Sequence, residues 1–333
     1  MPDGKVLVTG SAGHLGEALM RALREAGHEA IGLDVLSSPF TTVRGSVTER
    51  ALVRECLAGV RAVLHPATLH KPHMGSHGRQ EFVDTNLTGT LALLEESAAA
   101  GVESFVFTST TSAFGRALTP AAGEPAAWIT EDVADVPRNI YGVTKAAAEN
   151  VCELVSAEQG LPVVVLRTSR FFPEPDDRDD VRDDVRDAYP DGNVTANEFL
   201  YRRVDIEDVV SAHLRAMERA PSIGFGRYVI SATTPFTPGD LQELRDGAGA
   251  LVRRLFPDYE AEYARRGWRM FPGIERVYVN ARARAELGWR PRYDFRRVLD
   301  ALKADQDPRS PLAQTIGAKG YHAQTTGVYT SRE

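Results

Sequence analysis

The amino-acid sequence predicts an α/β fold, with a doubly wound parallel sheet followed by a smaller C-terminal lobe. Short runs of Val, Ile and Leu alternate with segments of helical periodicity from the first residues onward. Apolar strands without polar alternation are typical of a parallel sheet that helices cover on both faces. Repeated strand–helix units with right-handed crossovers build a doubly wound sheet. A chain of 333 residues is long enough for one large domain or two closely joined ones.

The first half of the chain supplies most of the predicted sheet. Its strands are predicted at Lys5–Thr9, Glu29–Leu33, Ala62–His65, Ser104–Thr108 and Pro162–Arg167. The helices between them are predicted at Leu15–Ala26, Phe82–Ala100 and Tyr141–Glu158. We therefore expect a first domain at residues 1–170, to which elements around residues 204–231 return.

The last third is predicted to add to the sheet and to build the lobe. Its elements are helices at Asp205–Arg219, Pro238–Arg254 and Asp294–Lys303, and a strand at Gly226–Ser231. Asp205, with Asp208 three residues later, is typical of a capping box. Thr237 before Pro238 is typical of an N-cap followed by proline in the first turn. These signals mark where the helices begin.

The lobe is predicted to span residues 171–203 and 232–333, together with an acidic insertion and a C-terminal tail. The insertion, Glu174–Asn193, contains the tandem repeat RDDVRDDVRD. Its charge density predicts a solvated, mobile segment. A lid or an oligomer contact is the alternative.

The composition argues against several classes of function. The net charge is −7, so no globally basic face is available to attract nucleic acid or an anionic membrane. Cys56 and Cys152 stand far apart without metal-ligand spacing, which suits a reducing compartment. No apolar segment approaches the roughly 20 residues that span a bilayer, and no signal peptide precedes the first strand. We therefore expect a cytoplasmic protein with neither nucleic-acid nor membrane partners.

A glycine-rich turn, VTGSAGHLG, joins the first strand to the first helix. Gly10 would permit a tight turn, Gly13 close approach of the backbone to a pyrophosphate, and Gly16 close helix–strand packing. The phosphates would lie at the helix N-terminus, where free N–H groups favour anions. Asp34 ends the second strand, and a carboxylate there can accept both hydroxyls of an adenosine ribose. Because it would repel a 2′-phosphate, it favours NAD over NADP.

Several longer motifs follow one another in a recognisable order. They are TGSAGHLG, AVLHPAT, DTNLTGTLALLEESAAAGVESFVFTSTTSAFG, YGVTK, VVVLRTSRFF, RRVDIEDVVSAHLRAM and ELGWRPRYDF. In this order they resemble the extended branch of the short-chain dehydrogenase/reductase superfamily, the NAD-dependent epimerase/dehydratase family, over nearly the whole chain. The resemblance implies a Rossmann-type NAD domain and a C-terminal lobe that binds the substrate.

The resemblance also implies which residues contact NAD. They belong to the glycine turn, the ends of the following strands and the helix that carries YGVTK. The implied residues are Gly10, Ala12, Gly13, His14, Leu15, Gly16, Asp34, Ser46, Val47, Pro66, Ala67, Thr68, Asn86, Thr108, Tyr141 and Lys145.

In the family that this chain resembles, Tyr141 would be the catalytic acid/base and Lys145 its partner. A free phenol has a pKa near 10, and a nearby ammonium together with oxidised nicotinamide would lower it. Four residues of helix separate the two side chains, which places them on one face. Family members place a Ser or Thr five residues before the glycine of this turn, so the resemblance implies Thr110, counted back from Gly115, as the third catalytic residue, with Ser109 and Thr111 as alternatives.

Two positions depart from the family pattern. Ser46 replaces a common aspartate that reads adenine, and with Glu49 it predicts a capping box, so adenine would meet backbone groups. Arg170 replaces an asparagine and would suit a substrate carboxylate or phosphate. The alternative for Arg170 is a salt bridge to the acidic insertion. The other candidate substrate contacts are His70, Thr111 and Ser169.

Four histidines, His65, His70, His73 and His77, lie in HPATLHKPHMGSH. No helix or hairpin spacing fixes them as a tetrahedral set. We therefore expect no metal site, and His70 and His73 could instead line the substrate pocket.

These features predict an NAD-dependent oxidoreductase or epimerase acting on a hydroxyl or keto carbon of a sugar-like or sugar-acid substrate. The run NVTANEFLYRRVDIED lacks the glycine-rich part found in nucleotide-sugar members, and FFPEP resembles the corresponding turn of uronate dehydrogenases. A nucleotide-sugar 4-epimerase or dehydratase with tightly bound NAD is one alternative. A non-catalytic NAD-binding regulatory module is another. The resemblance further implies a homodimer through the helices Phe82–Ala100 and Tyr141–Glu158.

Overall fold

A computed structural model describes residues 4–173 and 189–319 of the chain. Its strands are β1 (Lys5–Thr9), β2 (Ala30–Asp34), β3 (Val43–Arg44), β4 (Val60–His65), β5 (Ser104–Thr110), β6 (Ala127–Ile129), β7 (Val163–Thr168), β8 (Phe225–Ile230) and β9 (Arg276–Tyr278). Its α-helices are α1 (His14–Glu25), α2 (Arg50–Cys56), α3 (Arg79–Phe82), α4 (Gly89–Ala99), α5 (Ile140–Gln159), α6 (Asp191–Glu198), α7 (Ile206–Ile223), α8 (Leu241–Leu255), α9 (Tyr259–Arg266), α10 (Phe295–Lys303) and α11 (Pro311–Ile316).

Seven parallel strands form the main sheet in the order β3-β2-β1-β4-β5-β7-β8. The chain builds outward from β1 to β3 and then returns to place β4 on the other side of β1. The strand order therefore reverses between β1 and β4. In open sheets of this kind, ligands bind in the crevice at the carboxyl ends of the strands beside such a reversal.

The two faces of the sheet bury two separate apolar cores. Side chains alternate along each strand, so Val6 and Val8 of β1 join one core and Leu7 joins the other. The first core includes apolar residues of α1 and α7, and the second includes residues of α2, α4 and α5. The continuous apolar strands of the sequence follow from this double coverage, and the doubly wound Rossmann-type prediction is confirmed.

A smaller two-stranded parallel sheet pairs β6 with β9. Beside it lies a third apolar core with contributions from α6, α8, α9 and α10, among them Ala196, Leu244, Tyr263 and Phe295. The strand β6 lies within residues 1–170, yet its partner comes from the C-terminal third. The division of the chain into domains remains a prediction.

The predicted strands and helices are present, with ends that differ by a few residues. The predicted helix Phe82–Ala100 consists of α3, a π-helical stretch at Val83–Thr88, and α4. The sequence patterns did not predict β3, α2, β6, α6, α9, β9 or α11. Strands of two or three residues, such as β3, β6 and β9, are too short to show a period.

The expected capping box at Ser46 and Glu49 forms only in part. The Glu49 carboxylate accepts a hydrogen bond from the Ser46 N–H at 2.8 Å. The Ser46 hydroxyl accepts from the N–H of Thr48 at 3.2 Å rather than from that of Glu49. The helix α2 begins only at Arg50, so a local serine turn replaces the second half of the box.

Asp205 caps α7 as expected, but Asp208 does not complete a capping box. Asp205 accepts a hydrogen bond from the Glu207 N–H at 2.8 Å. The Asp208 carboxylate instead accepts the N–H groups of Arg292 and Tyr293, each at 2.8 Å. That part of the prediction was wrong, because a tertiary contact with the C-terminal chain takes the carboxylate that the local contact would have used.

Residues 174–188 of the acidic insertion Glu174–Asn193 lie outside the described ranges. The last residues of the insertion, from Asp191 onward, begin α6. The C-terminal tail from residue 320 onward also lies outside them. Within the described ranges, no helix is both long and apolar enough to cross a bilayer.

Candidate functional site

A cavity of about 740 Å³ follows the carboxyl ends of the strands. By the strand order, Asp34 lies at one end of it and the glycine turn after β1 lies next. Tyr141 and the end of β5 occupy the middle, and Arg170, after β7, lies at the other end. The cavity therefore extends across the point between β1 and β4 where the strand order reverses.

Nearly all of the predicted site residues line this cavity. Those implied to contact NAD are Gly10, Ala12, Gly13, His14, Leu15, Gly16, Asp34, Ser46, Val47, Pro66, Ala67, Thr68, Thr108 and Tyr141. The lining residues on the predicted substrate side are His70, Thr110, Thr111, Ser169 and Arg170. Asn86 and Lys145 are buried behind the wall.

The glycine turn has the close packing that the sequence predicted. Gly10 has a φ of 64°, and a Cβ on it would lie 2.9 Å from the Ala67 Cα. A Cβ on Gly16 would lie 1.9 Å from the Gly10 carbonyl oxygen. Gly13 caps α1 without a side-chain hydrogen bond. The turn thus presents backbone N–H groups of α1 to the cavity, which suits a diphosphate.

Asp34 ends β2 with its carboxylate fixed by the backbone. Its oxygens accept hydrogen bonds from the N–H groups of Ala12 and Leu36, each at 2.8 Å. The carboxylate is therefore held beside the glycine turn, where it can accept ribose hydroxyls.

Close packing at the start of α5 brings Tyr141 to the end of β5. Asn139 caps the helix by accepting the Gly142 N–H at 2.9 Å. A Cβ on Gly142 would lie 2.8 Å from the Ser112 carbonyl oxygen, so glycine lets α5 approach the turn after β5. Burial raises the pKa of Tyr141 to about 12, and the neighbouring Thr110 side chain opposes this with a smaller lowering.

Lys145 is one helical turn from Tyr141 and almost completely buried. Its ammonium donates to the Thr108 carbonyl at 2.6 Å and lies 3.9 Å from the centre of the Phe107 ring. Burial lowers its pKa to about 7. The expected lowering of the Tyr141 pKa is not seen in the protein alone, because desolvation of the phenol dominates there.

Asn86 joins two segments of the protein instead of facing the cavity. Its side-chain oxygen accepts from the Thr68 hydroxyl at 2.9 Å and the Leu69 N–H at 2.8 Å. Its amide nitrogen donates to the Thr144 hydroxyl of α5 at 3.1 Å. Asn86 therefore holds the chain after β4 against α5, and its predicted contact with NAD does not match this placement.

A buried ion pair that the sequence analysis did not identify lies behind the catalytic candidates. Glu149 of α5 and Arg167 of β7 approach to 2.6 Å, and Arg167 also contacts Asp135 at 2.7 Å. Ser109 donates a short hydrogen bond to the same Glu149 carboxylate. The Ser109 hydroxyl therefore has Glu149 as its partner. The spacing Tyr141–Lys145–Glu149, with four residues at each step, was the available signal.

The histidines of the loop after β4 separate into two groups. His65 lies in the core, within 2.7 Å of the Thr9 hydroxyl and 3.0 Å of the Thr90 hydroxyl. His70 and His73 cap a short turn at Lys71–Gly75, and both line the cavity. In the described part of the chain, no three His, Cys, Asp or Glu side chains could hold a metal ion together.

The far end of the cavity is rich in arginine around one buried carboxylate. Glu198 contacts Arg202 at 2.6 Å and Arg203 at 2.7 Å, and Arg170 lies 3.9 Å away. Burial alone would raise the pKa of the Glu198 carboxyl, but the three guanidinium groups hold it well below its usual range. Arg170 and Arg202 both line the cavity. Three guanidinium groups therefore gather around one buried carboxylate at this end.

Two further side chains at this end carry buried polar atoms. Arg276 of β9 lines the cavity, and its Nε has no hydrogen-bond partner among the described residues. The Ser169 hydroxyl is also buried at the wall without a partner there. Unsatisfied buried donors favour a polar or anionic ligand. Sequence reasoning assigned no role to Arg202, although it begins the motif RRVDIEDVVSAHLRAM, or to Arg276, which lies in none of the quoted motifs.

Comparison with known proteins gives the same picture. Residues 6–231 match the family model described as the NAD dependent epimerase/dehydratase family. UDP-glucose 4-epimerase of Streptomyces lividans is 27% identical, over 90% of this chain and 95% of that protein. Sterol demethylase protein B of Methylococcus capsulatus is 29% identical, over 68% of this chain and 69% of that protein.

Solved structures share the fold. A short-chain dehydrogenase/reductase superfamily protein from Agrobacterium tumefaciens with bound NAD is similar over 93% of this chain and 99% of that chain. The TM-score is 0.62 and the sequence identity 24%. At that identity the likeness concerns the fold.

The buried ion pair makes a testable contribution to stability. Glu149→Gln should lower the free energy of unfolding by about 3–5 kcal/mol, because Arg167 would lose its main buried counter-charge. Urea unfolding measures the change. Glu153→Gln is the matched control, since Glu153 is on the same helix but 54% exposed, 2.7 Å from Arg227. Its loss should stay below about 1 kcal/mol, and equal losses would contradict the assignment.

Proposed function

The chain belongs to the NAD-dependent epimerase/dehydratase family, and from this membership we propose that it acts on a hydroxyl or keto carbon of a negatively charged sugar derivative. One observation carries the proposal. A single cavity joins the glycine turn, the neighbouring side chains of Tyr141 and Thr110, and the arginine-rich end. A dinucleotide and an anionic substrate can therefore meet beside a group that transfers protons.

The residues present fit NAD. The backbone at Gly13 would hold the diphosphate and Asp34 the hydroxyls of the adenosine ribose. Ser46 and Val47 would lie beside the adenine. When bound, NAD supplies the acceptor for the electron pair of the substrate carbon–hydrogen bond.

Tyr141 would hold or take the proton of the substrate hydroxyl. Thr110 lines the cavity beside Tyr141, so its hydroxyl would position the substrate oxygen against the phenol. A phenolate at Tyr141 and an ammonium at Lys145 would stabilise each other one helical turn apart. This retained arrangement argues against a purely regulatory NAD-binding module.

Two substrate classes fit an anion-binding end. The missing glycine-rich run and the position of Arg170 favour a sugar acid. The match to UDP-glucose 4-epimerases over 90% of this chain favours a nucleotide sugar.

The protein should be incubated with NAD and sugars of each class. Release of NADH would indicate a dehydrogenase, and inversion of the sugar without release an epimerase. If sugars of both classes give neither NADH release nor inversion, the proposal is refuted.

A cytoplasmic homodimer is part of the same proposal. Val143 and Leu154 of α5 are 47% and 52% exposed, and three helical turns place them on one face. This face would pack against α4 and α5 of a second copy. The buried free thiols of Cys56 and Cys152 suit a reducing compartment.

Assembly can be tested at the exposed face of α5. Leu154→Arg should shift the protein from dimer to monomer, because a charge would be buried between the subunits. Light scattering at micromolar concentration gives the mass. Leu255→Arg, at an exposed leucine on α8, is the control that should remain dimeric. A monomeric wild-type protein would refute the dimer.

Cofactor preference can be tested at Asp34. The wild-type protein should bind NAD much more tightly than NADP, since the carboxylate would repel a 2′-phosphate. Asp34→Ala should narrow that difference. Calorimetric titration of both cofactors measures it, and equal affinities in the wild-type protein would remove the role given to Asp34.

The proton-transfer role predicts separate effects of two conservative variants. Tyr141→Phe should fold and bind NAD but lose roughly 10²–10⁴-fold in rate, since it lacks the transferring oxygen. Thr110→Val should slow turnover more than Ser109→Ala, because Ser109 faces Glu149. Steady-state rates with calorimetric NAD binding separate these effects. A loss below tenfold for Tyr141→Phe would assign the base elsewhere.

The charge of the substrate can be tested at Arg170. Arg170→Ala should raise KM for an anionic sugar about tenfold or more, the equivalent of about 1.4 kcal/mol, and leave NAD affinity unchanged. Arg215→Ala is the control, because Arg215 pairs with Glu218 on the surface of α7. If Arg170→Ala instead loses stability and keeps its KM, Arg170 acts only as a structural partner of Glu198.

A further inference from the structure

The last described residues cross the first turn of α1. The helix α11 packs against α1 and α7. After it, the Gly317 carbonyl accepts a hydrogen bond from His14 Nε2 at 3.1 Å. The Lys319 ammonium donates to the Ala12 carbonyl at 3.0 Å and forms an ion pair with Glu17. The chain from Gly317 to Lys319, here called the C-terminal strap, is therefore fastened to the glycine turn.

Lys319 brings a positive charge to the dinucleotide end of the cavity. It lines the same cavity as Gly13 and Asp34, although it comes from the opposite end of the chain. The neighbouring Glu17 would by itself repel a diphosphate. Burial opposes ionisation of Glu17, but hydrogen bonds from Lys319 and Arg21 hold its pKa below the usual range. Lys319 and Arg21 thus both pair with the Glu17 carboxylate beside the glycine turn.

His14 is held by the same strap and has an unused acceptor. Its side chain is 3% exposed and stacks on Phe171 at 6.0 Å. Burial lowers its pKa to about 4, so the ring is neutral at pH 7. The Gly317 carbonyl only accepts, so Nε2 carries the proton. His14 Nδ1 is then a buried acceptor without a partner in the described part of the protein, which a ligand hydroxyl would satisfy.

From these contacts we infer that Lys319 binds the cofactor diphosphate and that the C-terminal strap retains the dinucleotide in the cavity. The inference rests on the proposed NAD site. The N–H groups of α1 are neutral donors, whereas the Lys319 ammonium adds a full charge, and charge-assisted hydrogen bonds are the stronger kind. Release of the cofactor would then require the strap to move, which suits a cofactor that is retained between turnovers.

The test is NAD affinity of the cofactor-free full-length protein, measured by calorimetry. Lys319→Met should weaken binding about tenfold or more, and Lys319→Arg should keep most of the affinity. Lys303→Met is the matched control, because Lys303 pairs with Asp258 at 2.7 Å and lies outside the cavity. It should bind NAD as the wild type does. Thermal unfolding verifies that each variant is folded.

The Glu17→Gln protein serves as a second background for the Lys319 variant. It separates binding of the diphosphate by Lys319 from simple neutralisation of the Glu17 charge. If Lys319 only balances Glu17, then Lys319→Met should cost nothing in a Glu17→Gln protein, and the inference would be overturned. Direct contact with the diphosphate predicts that the tenfold loss persists there and that the salt dependence of binding becomes weaker. Failure of the wild-type protein to bind NAD would refute the proposed function itself. Tight binding by wild type and Lys319→Met alike would refute only the role of the strap.

Discussion

The ion pair between Glu149 and Arg167 is the constraint on which the rest of the site depends. Both side chains are buried, and a buried charge is tolerated only when its partner is held in good geometry. The pair therefore fixes α5 against β7, and the hydrogen bond from Ser109 fixes it against β5. Tyr141 and Lys145 lie on the same helix, so their positions relative to the end of β5 follow from this contact.

Close backbone packing supplies the second constraint. Gly142 lets the first turn of α5 approach the chain after β5, and Gly16 lets α1 approach the turn at Gly10. A methyl group at either position would force the elements apart. The positions of the proton-transfer candidates and of the candidate diphosphate site thus depend on glycines that leave no room for a side chain. Asn86 adds a polar link between the loop after β4 and α5.

Fixed charges divide the cavity into two ends. Asp34 provides a carboxylate at one end, held by two backbone N–H groups. Arg170, Arg202 and Arg276 provide guanidinium groups at the other end, where Glu198 pairs with Arg170 and Arg202. In the proposed binding mode, the Asp34 carboxylate would accept the ribose hydroxyls of the dinucleotide, and the arginines would bind the anionic substrate. Tyr141 lies between these ends. In the proposed reaction, the substrate carbon and the nicotinamide carbon of NAD would meet beside it.

The sequence by itself determined the features that depend on local spacing. Apolar runs predict the strands of the sheet. The spacing of the glycines predicts the turn after β1, and the spacing of Tyr141 and Lys145 places them on one helical face. Tertiary structure decided the rest, because it joins distant segments. Only the packing of α5 on β5 gives the Ser109 hydroxyl the Glu149 carboxylate as its partner. Only long-range folding brings Lys319 beside the glycine turn, through contacts about 300 residues apart in the chain.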